Sequence, residues 1–344
     1  MPDPLISQSI DRLLAGEDLG RDGASAVLEL IMGGEAGDAQ TAAFLIALRA
    51  KGETAEELAG LAATVRSFAE PVAPPSRPFI DTCGTGGGRS TFNISTTATF
   101  VVAGAGVAVA KHGNRSSTSK SGSADVLEAL GARIDLDPDA VARCIEETGL
   151  GYMFAPAHHP AFRHIVPVRR ALGVRTIFNL LGPLTNPAGA PRQLIGVADP
   201  AYLERMGRAL AMLGCERALI VNGRDGMDEV STGAVTDVVA VDGSTVRASM
   251  IDPIALGFPP PEDGEIAGGD PAHNAAVLRA VLAGEPGPAR DVVELNAAAA
   301  IWLAGAADSL EDALPLAVTS IDDGAAAERL EAFVAATRRL APAG

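Results

Sequence analysis

Between residues 79 and 131 the chain alternates short apolar runs, glycine-rich loops and small-residue helical stretches, and few folds accept that order. Phe79-Ile80 ends at Asp81 and runs into a turn with glycine at Gly84, Gly86, Gly87 and Gly88. Glycine takes positive φ repeatedly without steric cost, so such a turn can close its backbone N–H groups on a ligand. Asn93-Ile94-Ser95-Thr96 then opens an apolar helix reaching about Ala105, which crowds hydroxyls and free amides at a helix N-terminus, a natural anion site. Residues 107–110 read as a buried strand. That strand delivers a second loop, KHGNRSSTSKSGS, to the same carboxyl edge of a sheet, where α/β folds bind ligands.

Charge narrows the ligand class. The net charge is −16, yet no Asp or Glu occurs from 82 to 124, where even spacing would put roughly five. Arg89, Lys111, Arg115 and Lys120 remain in that window. A second acid-free window, 148–198, holds Arg163, Arg169, Arg170, Arg175, Arg192 and three of the five histidines. An acidic chain that clears carboxylates from two stretches and keeps cations there focuses positive potential on an anion. The same acidity argues against nucleic acid or an anionic membrane as partner, since either needs a continuous basic face. A small phosphorylated metabolite fits.

The three cysteines, Cys83, Cys144 and Cys215, are odd in number and lack metal-ligand spacing, which predicts a reduced, cytoplasmic protein without a disulfide framework. Cys83 reads as a packed strand end. The N-terminus has acids and no apolar signal core, and no run approaches a membrane span.

With 344 residues the chain has room for one large domain or two smaller ones. Residues 1–70 carry helical period and no strand: Ile6-Ile10-Leu13, Val27-Leu30-Ile31, Phe44-Leu45-Leu48 and Leu58-Leu61-Val65 each mark one apolar face. They predict a bundle of about four helices, with Asp22, Asp38 and Thr54 as caps, ending at the stiff linker PVAPPSRP. Beyond 131 the pattern predicts strands at 133–136 and 152–155 around a helix at 138–148. Residues 156–189 return to helical spacing broken by Pro160, Pro167 and Pro183, as if this segment left the sheet to pack on the bundle. Strands at 194–197 and 218–221, a β-pair at 237–241 and 245–251, a loop at 252–272 and closing helices broken near Asp323-Gly324 complete the order. The fold class is therefore α/β: a small helical domain, 1–70 joined by about 160–189, and a larger α/β domain, 71–344, with a mainly parallel sheet.

Three constellations carry chemistry. GTGGG with NIST supplies converging N–H donors for a diphosphate, without the GK[ST] of a P-loop or the spacing of a dinucleotide fingerprint. In KHGNRSSTS, Lys111 and Arg115 suit phosphate charge and Asn114 offers a two-sided amide, while Ser119, Ser121 and Ser123 either cap the helix starting near Ala124 or touch phosphate. Asp228-Glu229 follow a strand at the same sheet edge, where one or two carboxylates commonly hold magnesium beside phosphates. Arg169 and Arg170 are consecutive on a helix, so only one of them faces a given ligand.

GTGG, TFNIST, KHGNRS, SGSADVLEALG, HPAFRHIVPVRRALGVRTIFNLLGPLTNPAG and DGMDEVS, with LNAAAAIWLAGAADSLEDAL near the end, closely resemble the anthranilate phosphoribosyltransferase family in that order and over nearly the whole chain. The resemblance implies transfer of the phosphoribosyl group of phosphoribosyl pyrophosphate to the amino group of anthranilate in tryptophan biosynthesis, with Mg2+ as cofactor. It also implies a phosphoribosyltransferase fold shared with nucleoside phosphorylases, and a homodimer through the helical domain. Matched position by position, Gly84, Gly87, Gly88, Thr91, Asn93, Ser95, Thr96, Lys111, Ser119 and Ser123 correspond to donor contacts. Gly84, Asn114 and Arg169 correspond to anthranilate contacts, and Ser95, Asp228 and Glu229 to magnesium ligands. No residue is assigned as general base, and His112 is the candidate.

The family loop commonly reads GTGGD. Here Gly88 stands in place of the aspartate, the loop is one residue shorter, and DGMDEVSTG is also about one residue short. A nucleoside phosphorylase would share the architecture but gives no reason for the Asp228-Glu229 loop or for Asn114 with Arg169. A non-catalytic ligand-binding homologue would have no need to keep Lys111, Ser95, Asp228 and Glu229 together.

Overall fold

The computed structural model describes residues 2–116 and 119–342; Ser117 and Thr118 of the second loop lie outside them. Four helices begin the chain: α1 (Pro4–Leu14), α2 (Gly20–Met32), α3 (Asp38–Lys51) and α4 (Ala55–Ser67). Asp3 caps α1 through the Leu5 and Ile6 amides, and Thr54 forms a reciprocal capping box with Glu57 on α4. Asp22 and Asp38 do not cap. Each lies inside the first turn, after Leu19 and Gly37 at the cap positions, where its charge still suits the positive end of the helix. Buried Glu57 is satisfied by accepting the Leu19 amide at 2.9 Å and the Lys51 ammonium at 2.9 Å.

The sheet has seven strands in the order β3-β2-β1-β4-β5-β6-β7: β1 (Phe79–Gly84), β2 (Ala108–Gly113), β3 (Leu150–Phe154), β4 (Arg192–Gly196), β5 (Arg217–Gly223), β6 (Thr236–Asp242) and β7 (Thr245–Ile251). The first five run parallel and β6–β7 return as an antiparallel edge, so the carboxyl ends of β1, β2 and β5 lie along one edge. Connecting helices are α5 (Ile94–Gly104), α6 (Ser123–Ala129) and α7 (Pro138–Thr148). Residues 133–136 make no strand, contrary to their alternation. Ile134 and Leu136 are buried, but the Arg133 amide donates to Thr337 Oγ1 at 3.1 Å instead of to a neighbouring strand.

After β3 the chain leaves the sheet through α8 (Ala155–His158), a 3₁₀ turn (Pro160–His164), α9 (Val166–Leu172) and α10 (Phe178–Leu184). The 3₁₀ turn touches α2, α9 lies on α3, and α10 lies on α4. Ile165, Ile177, Phe178 and Leu181 share one apolar cluster with Leu28, Phe44 and Leu58 of the bundle. That cluster continues through Ile195 and Ile220 to α11 (Leu203–Met212), so it also covers part of one sheet face. On the other side, α12 (Pro271–Leu282), α13 (Pro288–Leu303), α14 (Leu310–Asp322) and α15 (Ala325–Leu340) enclose α5 in a second core rich in alanine. Among the described residues no helix is long and apolar enough to cross a membrane.

Candidate functional site

Three loops meet at the carboxyl edge of β1, β2 and β5. In the first, Gly86 and Gly87 take positive φ, 66° and 87°, which a side chain rarely adopts. Gly84 and Gly88 serve close approach instead: a Cβ on Gly84 would stand 3.3 Å from Asp228 Oδ2, and one on Gly88 would stand 2.5 Å from Asp228 Oδ1. Thr91 is held by an antiparallel bridge to Ala267, so part of the 252–272 stretch borders the site.

Asn93 occupies the cap position of α5 but its side chain bonds elsewhere. Its Oδ1 accepts from Asn274 Nδ2 at 2.8 Å and Ser121 Oγ at 3.3 Å, and its Nδ2 donates to Ser121 O at 3.2 Å. One amide thereby ties the first loop to the second, so Asn93 itself does not cap the opening amides of α5. Thr96 is buried and lines a small internal cavity with Lys111 and Tyr152. Lys111 is also buried; its Nζ donates to the Thr82 carbonyl, and burial lowers its pKa although Asp81 opposes that shift.

In the second loop Ser119 Oγ meets Ser116 Oγ at 2.7 Å and the Ser121 carbonyl at 3.2 Å. Ser123 Oγ contacts Tyr152 Oη at 2.9 Å. None of the three serines caps α6: Gly122 is the cap residue, and its amide donates to the Asp125 carboxylate of the first turn at 2.8 Å. Asn114 is exposed, with Oδ1 on the Arg115 amide at 2.7 Å. Arg115, expected to meet phosphate, is bridged to Asp125 at 2.8 Å and Glu128 at 2.6 Å.

The third loop brings in Asp228 and Glu229. The Ser95 amide donates to Glu229 Oε1 at 3.2 Å, and the Ser95 hydroxyl also bonds that carboxyl. Burial, then the neighbouring Asp228 charge, pushes the Glu229 pKa up to about 8. Burial also raises Asp228, whose carboxylate accepts from the Gly86 amide. Two desolvated carboxylates side by side, next to a serine hydroxyl, fit a hard cation with oxygen ligands. Among the described residues no three His, Cys, Asp or Glu side chains converge as a metal cage, so phosphate and water oxygens would have to complete the shell.

His112 is buried, with Nδ1 3.2 Å from the Gly182 carbonyl, and burial holds it well below its ordinary pKa, hence neutral near pH 7. Its ring lies 5.1 Å from His159, which stacks on Phe162; Phe162 meets Phe178 edge-on, and Arg169 sits 5.5 Å over the Phe178 ring. Arg169 is half-buried and forms no ion pair among the described residues, while Arg170 is exposed. Cys83 has its thiol pKa raised well above the usual value by burial, as suits a packed strand end.

Sequence reasoning missed Asn274 and the position of Arg175. Arg175 belongs to the second acid-free window, but nothing in the sequence places it over Gly86, whose carbonyl accepts from Arg175 Nη2 at 3.2 Å. Asn274 lies in a helix whose Asp270 cap drew no attention to it.

Comparison with known proteins covers the same segments. Residues 76–327 match the profile described as "Glycosyl transferase family, a/b domain", and residues 7–69 match "Glycosyl transferase family, helical bundle domain". The chain is 53% identical over 332 residues to the anthranilate phosphoribosyltransferase of Moorella thermoacetica, covering 96% of this chain and 98% of the relative. It is similar to the crystal structure of the Thermus thermophilus enzyme of that name, with TM-score 0.89, 42% identity and 96% and 99% of the two chains covered. It is also similar to the Saccharomyces cerevisiae enzyme in complex with PRPP and Mg, with TM-score 0.89, 28% identity and 97% and 98% covered. The yeast enzyme in complex with 4-fluoroanthranilate aligns with TM-score 0.87 and 27% identity over 98% of each chain.

Proposed function

The chain belongs to the anthranilate phosphoribosyltransferase family, and we propose that it moves the phosphoribosyl group of phosphoribosyl pyrophosphate onto the amino group of anthranilate in tryptophan biosynthesis. The bond from the ribose anomeric carbon to pyrophosphate breaks, the bond to the amine nitrogen forms, and the amine loses a proton to solvent. The observation that carries this reading is the Asp228-Glu229 pair set against Ser95 at the start of α5, beside the glycine turn.

The backbone amides of Gly87 and Gly88 and the Thr96 amide in the first turn of α5 receive the diphosphate, with Gly84, Gly87, Gly88, Thr91, Asn93, Ser95, Thr96, Lys111, Ser119 and Ser123 as the donor contacts. Ser95, Asp228 and Glu229 hold Mg2+, which when bound neutralises charge building on the departing pyrophosphate. Arg169, over an aromatic ring and without an ion pair among the described residues, offers its fork to the anthranilate carboxylate, and Asn114 and Gly84 border the same substrate. Charge develops on the sugar ring as pyrophosphate leaves, so placement of the amine and stabilisation of the leaving group supply most of the acceleration. A weakly basic aryl amine is already neutral near pH 7 and needs no general base. His112 stays a weak candidate for that role: it is neutral, with Nδ1 on the Gly182 carbonyl, and burial lowers its basicity.

The domain division, 1–70 with about 160–189 against 71–344, follows from the same reading, as does a cytoplasmic homodimer through the helical domain. Exposed Leu5, Ile46 and Val166, on three adjoining helices, support such an interface. The test is loss of anthranilate fluorescence with donor and magnesium, repeated in EDTA. Loss that requires donor and metal supports the reading, and none under either condition overturns it.

A further inference from the structure

Most cations of the first acid-free window are already committed. Arg89 pairs with Asp225 at 3.5 Å, Arg115 with Asp125 and Glu128, and Lys111 is turned beneath the strand to the Thr82 carbonyl. The positive charge lying on the glycine turn comes instead from across the molecule. Arg175 follows α9 and its αL terminator Gly173. Its guanidinium lies over the turn: Nη2 is 3.2 Å from the Gly86 carbonyl and occupies the place that a Cβ on Gly87 would take.

Two features make this an arm with a fixed root and a free hand. The Arg175 carbonyl accepts from Arg49 Nη1 of α3 at 2.5 Å, and the next amide, on Thr176, donates to Asn179 Oδ1 at 3.1 Å. The side chain itself is exposed, forms no ion pair among the described residues, and commits one of its several donors to a single carbonyl. We propose that Arg175 is a donor-recognising residue: its guanidinium binds the diphosphate over the glycine turn, so that the segment packed on the helical bundle contributes directly to holding the donor. The inference rests on the function proposed above.

Calorimetric titration of phosphoribosyl pyrophosphate with magnesium, in the absence of anthranilate, tests it on wild type, Arg175→Ala, Arg175→Lys and the control Arg170→Ala. Arg175→Ala is expected to bind the donor about tenfold more weakly, the usual scale for a charge-assisted hydrogen bond. Arg175→Lys should fall between it and wild type, and Arg170→Ala should match wild type. In turnover, Arg175→Ala should raise KM for the donor while KM for anthranilate stays within about twofold. Unchanged donor affinity in Arg175→Ala, no recovery in Arg175→Lys, or equal losses for both substrates with a lower Tm would overturn the assignment. A wild-type protein that binds no donor would instead overturn the proposed function.

Discussion

Gly88 and Asp228 share one space: a Cβ on Gly88 would stand 2.5 Å from Asp228 Oδ1 and 2.9 Å from the Asp228 nitrogen. The contact belongs to a wider seam, with the Arg89 amide on the Gly226 carbonyl at 2.7 Å. Both loops are the ones whose sequences are expected to run about one residue short of the family pattern, and they fit each other. Gly88→Asp, which restores the common family residue, should therefore damage this protein by forcing two carboxylates together. Donor kcat/KM is expected to fall at least about tenfold. Wild-type kinetics would show that the seam opens freely.

Removing the metal-facing charge should separate stability from turnover. Glu229→Gln keeps the shape and abolishes a desolvated charge, so without magnesium its Tm at pH 8.5 should equal or exceed that of wild type while turnover falls by orders of magnitude. Asp228→Ala with Glu229→Ala should be folded by circular dichroism and inactive. Near-normal turnover in either variant would remove these carboxylates from the metal site.

The metal-free protein should lose stability as pH rises. Folded Glu229 keeps its proton up to about pH 8, whereas the unfolded carboxyl releases it near 4.5; between these values the folded state binds the extra proton, so raising pH favours unfolding. Thermal melts from pH 5 to pH 9 in EDTA should show this fall, and Glu229→Gln should flatten it. Magnesium should raise Tm more at pH 8.5 than at pH 6, since at the lower pH it must displace a proton. Equal slopes in wild type and Glu229→Gln would assign the titration elsewhere.

Arg169→Ala should raise KM for anthranilate about tenfold or more and leave donor binding within about twofold, because the side chain lies over a ring and pairs with no acid among the described residues. Equal effects on both substrates would argue for a structural role.

Gly60 sits where α4 crosses α2, and a Cβ there would fall on the Arg21 carbonyl. Gly60→Ala should destabilise the protein by about 1–3 kcal/mol through overpacking, outweighing the helix preference of alanine. Urea unfolding measures it, and a stabilised variant would mean the helices part easily.

The sequence alone determined whatever is written in local period and local chemistry. The glycine turn, the start of α5 at Ile94, the capping box at Thr54 and the break at Gly324 all depend on residues within a few positions of one another. The parallel sheet followed from the same alternation of strands and helices, and it brought Asp228-Glu229 to the edge that carries the glycine turn.

Tertiary structure decided which side chains remain free. Arg115 looks like a phosphate ligand until Asp125 and Glu128 close on it, and Ser119, Ser121 and Ser123 look like caps until Gly122 takes the cap position of α6. The 133–136 stretch alternates like a strand but finds Thr337 where a strand would need a neighbour. Arg175 reaches Gly86 from 89 residues away. A charge or a backbone amide pairs with whichever partner packing brings within about 3 Å, and that partner is set by the assembled fold rather than by neighbours in sequence.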